Sequence, residues 1–190
     1  MIRTAVFYDE NGKVGRIRTG PTANVEADVE ASGGTYLYFD NEPETENKYV
    51  QDGVLVSMPE QPSPHHEFNY ATKAWDLNLV HAKQDKWREI KVARENDEVD
   101  TFTWDSKVFQ CDYKSQQRLL GMVQRAQIDS SLSSEWTLSD NSVVTFSAAD
   151  YIDIGKALME HIDSCHIKAR GLRADIEAAT TLEAVNGVSW

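Results

Sequence analysis

The amino-acid sequence predicts an α+β fold, in which a small antiparallel β module precedes a mixed module with one long C-terminal helix. Three observations indicate this. In the first third of the chain, β-branched and aromatic runs are separated by Asn-Gly and Asp-Gly pairs, which favour β-hairpins. Residues 59–64 contain three prolines, which suit neither a helix nor a central strand. From Ser147 onward, apolar and small residues recur at steps of three and four, the spacing of an amphipathic helix.

Composition and charge limit the function classes. The 190 residues include 31 acidic and 19 basic residues, for a net charge of −12, and 41% of them are hydrophobic, as in soluble globular domains. No apolar run is long enough to cross a bilayer and the N-terminus lacks a signal-peptide core, so we expect no membrane partner. An acidic surface repels phosphate backbones, so we expect no nucleic-acid partner either. Cys111 and Cys165 match no disulfide or zinc spacing, which favours a reducing compartment.

The β module is predicted at residues 1–58. Its strands are expected in two hairpins and one further run. The predicted strands lie at 5–8, 14–17, 35–39, 48–50 and 54–58. Residues 59–66, which contain the proline cluster, are predicted to be a linker, so that the second module covers residues 67–190.

The second module is predicted to alternate short hairpins with helices. The predicted elements are an aromatic hairpin at 68–77, a helix at 77–96, a hairpin at 101–110, a helix at 113–128 capped by Asp112, two strands at 135–138 and 143–146, and a helix of about 33 residues from Ser147. Ser147 and Asp150 have the spacing of a capping box.

The apolar stripe of the long helix predicts self-association. A helix of this length presents more apolar surface than a small monomer is expected to cover, and its spacing is close to that of a coiled coil. We therefore expect a homo-oligomer, with a trimer favoured. The predicted oligomer seam consists of Tyr151, Ile154, Leu158, Ile162, Cys165, Ala169, Leu172 and Ile176.

One cluster on this helix has metal-ligand chemistry, namely His161, Cys165 and His166. His161 and Cys165 share one helix face, but two ligands do not make a site, so a structural role is predicted. The alternative is an ion held by three copies of His161 on a three-fold axis. Since the motifs of hydrolases, kinases and dehydrogenases do not occur, no catalytic, cofactor-binding or metal-binding residue is predicted.

Four sequence blocks in the C-terminal half carry a family resemblance. They are Trp104–Asp112, Gln116–Leu119, Trp136–Phe146 and Ala174–Glu183. In order and spacing they resemble an uncharacterised domain family common in the tail and tail-fibre genes of tailed bacteriophages, over roughly residues 84–188. The N-terminal half, opening with Phe7–Gly12, is similar to the companion module of many such phage proteins.

The resemblance implies a non-enzymatic structural component of a phage tail, baseplate or tail-fibre apparatus that acts as an attachment or adaptor subunit for host recognition. Its implied partners are other tail or fibre proteins, and its implied location is the virion tail after synthesis in the host bacterial cytoplasm. The alternative is a tail-fibre assembly chaperone that is not retained in the virion. Such chaperones share the opening strand and the proline stretch, although their C-terminal pattern differs. A glycan or cell-wall hydrolase is a third hypothesis.

Overall fold

The computed structural model describes residues 1–190 and shows the predicted α+β class. The chain forms two units, Met1–Asn78 and Leu79–Trp190. The first unit contains β1 (Ile2–Tyr8), β2 (Val14–Pro21), α1 (Thr22–Ser32), β3 (Thr35–Phe39), β4 (Lys48–Gln51), β5 (Val54–Ser57), β6 (His66–Asn69) and β7 (Ala74–Leu77). The second contains α2 (Leu79–Glu98), β8 (Thr101–Trp104), β9 (Lys107–Gln110), α3 (Tyr113–Ile128), β10 (Ser133–Thr137), β11 (Val143–Ser147), α4 (Ala148–Ala178) and α5 (Leu182–Gly187).

The first unit is built on an antiparallel sheet in the order β2-β1-β3. The central strand β1 buries Ala5 against Val25 and Val29 of α1, which lie one turn apart on the helix. The helix α1 was not predicted, because a single pair of valines gives only a weak helical pattern. Gly33, in the left-handed conformation with φ 62°, ends this helix and was the one clear local signal for it.

The predicted Asn-Gly hairpin between β1 and β2 is confirmed. The Asp9 carboxylate accepts hydrogen bonds from the backbone N–H groups of Asn11 and Lys13, both at 2.9 Å. Gly12 has φ 75°, and its carbonyl oxygen accepts from the N–H of Val50 in β4 at 2.8 Å. A side chain at position 12 would collide with the Val50 backbone, so the turn needs glycine for a tertiary contact as well as for its conformation.

An aromatic cluster holds the β6–β7 hairpin within the first unit. The Phe68 ring lies 5.2 Å from Tyr49 of β4 and 5.3 Å from Trp75 of β7, measured between ring centroids. The Trp75 indole N–H also donates to the carbonyl oxygen of Pro59 at 3.0 Å. The predicted linker at 59–66 therefore lies inside the first unit, and the chain divides after Asn78 instead of at the proline cluster.

The second unit is organised around α4, a helix of 31 residues. Near its start, Tyr151, Ile154 and Leu158 pack in one core with aromatic residues of the β8–β9 and β10–β11 hairpins and with Leu119 of α3. Further along, Ala169 and Ile176 pack against Ile90 of α2. After the end of α4, Ala179 packs with residues of α2 and α5. One side of α4 is thus covered along its length by other parts of its own unit.

This coverage changes the interpretation of the predicted oligomer seam. Six of the eight seam residues are buried within the chain, and Ile162 and Leu172 are half-buried. The physical reason is that α2, at 20 residues, and α3, at 16, both pack along α4. The apolar stripe is already buried without a second copy of the chain. Its length is therefore no longer a reason to expect self-association through α4. The oligomeric state itself stays a prediction.

Two helices of the second unit begin at the capping residues that the sequence predicts. The Asp112 carboxylate caps α3 by accepting from the N–H groups of Lys114 and Ser115 at 3.0 and 3.1 Å. Ser147 and Asp150 form the predicted capping box of α4. The short helix α5, capped by Thr181, was not predicted. None of the five helices combines the length and the apolar character that a membrane-spanning helix requires.

We expect Gly155→Ala to destabilise the second unit. A Cβ at this position would lie 2.6 Å from Cγ2 of Val123 in α3, so either the Val123 side chain or the two helices would have to shift. Overpacking of this kind costs roughly 1–3 kcal/mol. The matched control is Gly171→Ala in the same helix, where nothing lies within 4 Å of the new Cβ. That control should stabilise α4 by up to about 1 kcal/mol, and equal effects of the two variants in denaturant unfolding would contradict the close contact.

The capping carboxylates predict acid destabilisation of the second unit. Hydrogen bonds from the Ser147 hydroxyl and backbone N–H lower the pKa of Asp150, and those from Ser115 lower the pKa of Asp112. A carboxylate whose pKa is lower in the folded state stabilises the fold above its unfolded pKa of about 3.9, and this stability disappears as the pH falls through the folded pKa. Asp150→Asn should therefore show a shallower loss of thermal stability below about pH 4. Parallel curves for the variant and the original chain would argue against this role.

Candidate functional site

The strongest candidate for a functional surface is an apolar groove between α3 and α4. The groove has a volume of about 480 Å³. It is lined by Leu120, Val123, Gln127, Ile152, Gly155, Lys156, Met159 and Glu160. These positions follow from helical spacing, since residues three and four apart on each helix face the same side.

Close packing between the two helices forms the floor of the groove. The absence of a side chain at Gly155 lets Val123 pack directly against α4, and both Val123 and Ile152 are half-buried. Leu120 and Met159 line the groove above this floor and remain exposed, Met159 by 53%. Exposed apolar side chains grouped in a groove are typical of a surface that binds another protein.

The rim of the groove is charged. The Lys156 ammonium donates to the Asp153 carboxylate at 2.8 Å, and this hydrogen bond together with the negative charge raises the pKa of Lys156. Glu160 lines the same side one turn further along α4. An apolar centre with a polar rim is the general anatomy of a protein–protein interface.

The predicted metal-chemistry cluster occupies a different part of the second unit. The His161 ring nitrogen Nε2 donates to the carbonyl oxygen of Asp97 at 3.0 Å, which fixes the tautomer of the ring. His166 Nε2 lies 3.2 Å from Oε1 of Glu98. The Cys165 thiol contacts the Asp97 carboxylate, with 3.7 Å between Sγ and Oδ2. Each of the three side chains thus contacts the end of α2.

These contacts provide hydrogen-bond donors for the carbonyl oxygens at the C-terminal end of α2. The last carbonyl oxygens of a helix have no partner within the helix. Here the Asp97 carbonyl accepts from His161, and the Glu98 carbonyl accepts from Gln116 and from the Cys111 thiol, both at 3.2 Å. We refer to Asp97, Glu98 and the side chains that contact them as the α2 clamp.

The electrostatics of the α2 clamp favour protonated thiols. Burial raises the pKa of Cys165, and the neighbouring Asp97 carboxylate raises it further by charge and by hydrogen bonding. Burial likewise raises the pKa of Cys111, although a hydrogen bond from Gln116 acts in the opposite direction. Since the thiolate is the form that binds metals and attacks substrates, this environment suits cysteines that pack and donate hydrogen bonds.

Sequence reasoning placed His161 and Cys165 on one helix face but missed their partners. Asp97 and Glu98 precede them by more than 60 positions and belong to another helix. It also missed the groove. The available signal was Leu120, an exposed apolar residue next to the buried Leu119.

The comparisons with known proteins concern the second unit. Residues 81–188 match the family model described as Domain of unknown function (DUF4376), which is more than half of the chain. The chain belongs to the DUF4376 family. Its DUF4376 domain includes all of α3, α4 and α5 and nearly all of α2, so the groove and the α2 clamp, apart from Trp190, are features of this domain. Neither a curated protein nor a solved structure matches the chain.

A substitution in the α2 clamp tests its structural role in the DUF4376 domain. Oδ2 of Asp97 accepts from the Trp190 indole N–H at 3.2 Å and contacts the Cys165 thiol. Asp97→Ala leaves both donors without this acceptor, so we expect a loss of about 1–3 kcal/mol in the free energy of unfolding. Asp97→Asn keeps a side-chain oxygen as an acceptor and should lose less of the free energy of unfolding. If denaturant unfolding shows the same stability for Asp97→Ala as for the original chain, the clamp does not stabilise the domain.

Proposed function

We propose that the protein is a non-enzymatic structural subunit of a tailed-phage tail, baseplate or tail-fibre apparatus, where it acts as an attachment or adaptor subunit for host recognition. The observation that best supports this proposal is the apolar groove between α3 and α4. An adaptor must offer its neighbour a preformed surface, and the groove is such a surface on two packed helices.

The geometry of the groove favours a protein partner. Its apolar side chains, Leu120 and Met159 among them, can be buried by an incoming helix or loop, which would release water from them. Lys156 and Glu160 at the rim can then orient that partner through charge. Rigid secondary structure on both sides lowers the entropic cost of binding, because little has to become ordered.

The sequence blocks that resemble phage tail proteins are the basis for the class of partner that we propose. Two of those blocks, Trp104–Asp112 and Trp136–Phe146, cover much of the hairpins whose aromatic residues pack against α4. They support the helix that forms one wall of the groove. We therefore propose another tail or fibre protein as the occupant of the groove.

Purified virions of a phage that encodes this chain test the proposal. Quantitative mass spectrometry should find the protein in a fixed ratio to the tail proteins of the particle. If the protein is made during infection but absent from the particles, the structural assignment fails and the assembly chaperone becomes the better hypothesis. Hydrolysis of peptidoglycan or capsule by the purified protein would contradict the non-enzymatic assignment.

A pair of matched variants tests the groove itself. Met159→Glu introduces a charge into the groove, and we expect at least a roughly tenfold loss of incorporation into particles, the effect of about 1.4 kcal/mol at one important contact. Ile167→Glu is the control, since Ile167 lies on the same helix, outside the groove, and is 56% exposed against 53% for Met159. Equal incorporation of both variants, with equal thermal stability, would show that the groove is not the contact surface.

A further inference from the structure

The two edges of the three-stranded sheet in the first unit differ in composition. The edge strand β2 contains Arg16, Arg18, two glycines and a terminal proline, which discourage pairing with another strand. The opposite edge strand, β3, has the sequence Thr-Tyr-Leu-Tyr-Phe at residues 35–39, without charge, proline or glycine. It pairs with β1 alone, so the backbone groups on its outer edge have no strand partner.

Two tyrosines mark the open edge. Tyr36 and Tyr38 project from the same face of β3, with their ring centroids 4.9 Å apart, and they are 37% and 38% exposed. The helix α1 packs on β1 and β2 on this face, against Ala5 and Phe7, so the two rings lie at the margin of the covered area. The Arg3 guanidinium lies 4.8 Å from the centre of the Tyr38 ring and helps to hold it in place.

We propose that β3 is a self-association edge, on which β3 of a second copy of this chain pairs in antiparallel orientation about a two-fold axis at Leu37. In this register, Tyr36 lies opposite Tyr38 of the second copy, and Tyr38 lies opposite its Tyr36. Thr35 lies opposite Phe39 of the second copy. The result is a continuous six-stranded sheet with four tyrosine rings across the junction, and such cross-strand aromatic pairs stabilise sheets.

Charge at the ends of β3 selects this orientation. Gly34 precedes the strand and Asp40 follows it. Antiparallel pairing about Leu37 places each Asp40 opposite Gly34 of the other copy. Parallel pairing in the same register would instead bring the two Asp40 carboxylates together, and opposed like charges destabilise a sheet. In the antiparallel orientation, the strand therefore meets a second copy of itself with tyrosine opposite tyrosine and no like charges opposed, and this match is the reason for choosing a second copy as the occupant.

The proposal predicts a dimer and not the trimer expected from the sequence. Each chain offers one open β3 edge, so the association closes after two chains. A strand of five residues can bury only part of the roughly 800 Å² that each partner buries in a stable interface. The dimer should therefore dissociate on dilution. This inference concerns the first unit and does not depend on the proposed function.

Two double variants of the full-length chain test the register. Tyr36→Glu with Tyr38→Glu places like charges opposite each other across the junction, so analytical ultracentrifugation should find a monomer, with affinity reduced at least about tenfold. Tyr36→Lys with Tyr38→Glu places opposite charges there and should retain the dimer. The two variants share the change at 38, next to Arg3, and differ only at position 36. Loss of the dimer in both variants, or in neither, would overturn the proposed register.

The unmodified chain gives a second test that does not depend on how the variants fold. In a dilution series, the backbone amides of β3 that point away from β1 should exchange more slowly with deuterium at high concentration, while those of β2 should not change. A monomer at every concentration up to ~1 mM, where even a weak contact would be detected, would overturn the proposal. So would a trimer, or a dimer in which exchange at β3 is independent of concentration.

Discussion

Burial of one side of α4 is the constraint on which the second unit depends. A helix of 31 residues is about 46 Å long, and no single small cluster of side chains can keep its apolar stripe from water. Two hairpins and α3 cover the first part, α2 covers the next, and α5 covers the residues after its end. Each segment after Leu79 either contacts α4 or connects segments that do.

The α2 clamp shows how residues with catalytic potential can serve packing. His161, Cys165 and Cys111 all approach the last carbonyl or carboxylate groups of α2, whose final carbonyl oxygens have no partner within the helix. The same environment keeps the thiols protonated, since burial and a nearby carboxylate raise the pKa of Cys165. Their arrangement couples the end of α2 to α3 and α4, and Trp190 adds the C-terminus to the same group.

The two units offer contact surfaces of different chemistry. The groove between α3 and α4 presents apolar side chains with a charged rim, so a partner bound there would gain binding energy from the burial of those side chains. The β3 edge presents backbone groups, with Tyr36 and Tyr38 beside them, and its binding depends on register. Under the two proposals above, the chain would join a copy of itself through the β3 edge and another tail or fibre protein through the groove.

The sequence by itself determined the elements whose signals are local. Asp112 and Ser147 begin their helices at the predicted positions, and the Asn-Gly and Asp-Gly hairpins form, because capping and turn formation involve residues within about four positions of each other. Only the tertiary structure decided what covers the stripe of α4, which unit contains the proline segment, and what His161 binds. The partners of those residues, such as Asp97 for His161 and Pro59 for Trp75, lie on other elements. Apolar spacing indicates that a helix face is buried but contains no information about which segment buries it, and that choice depends on how all the elements pack together.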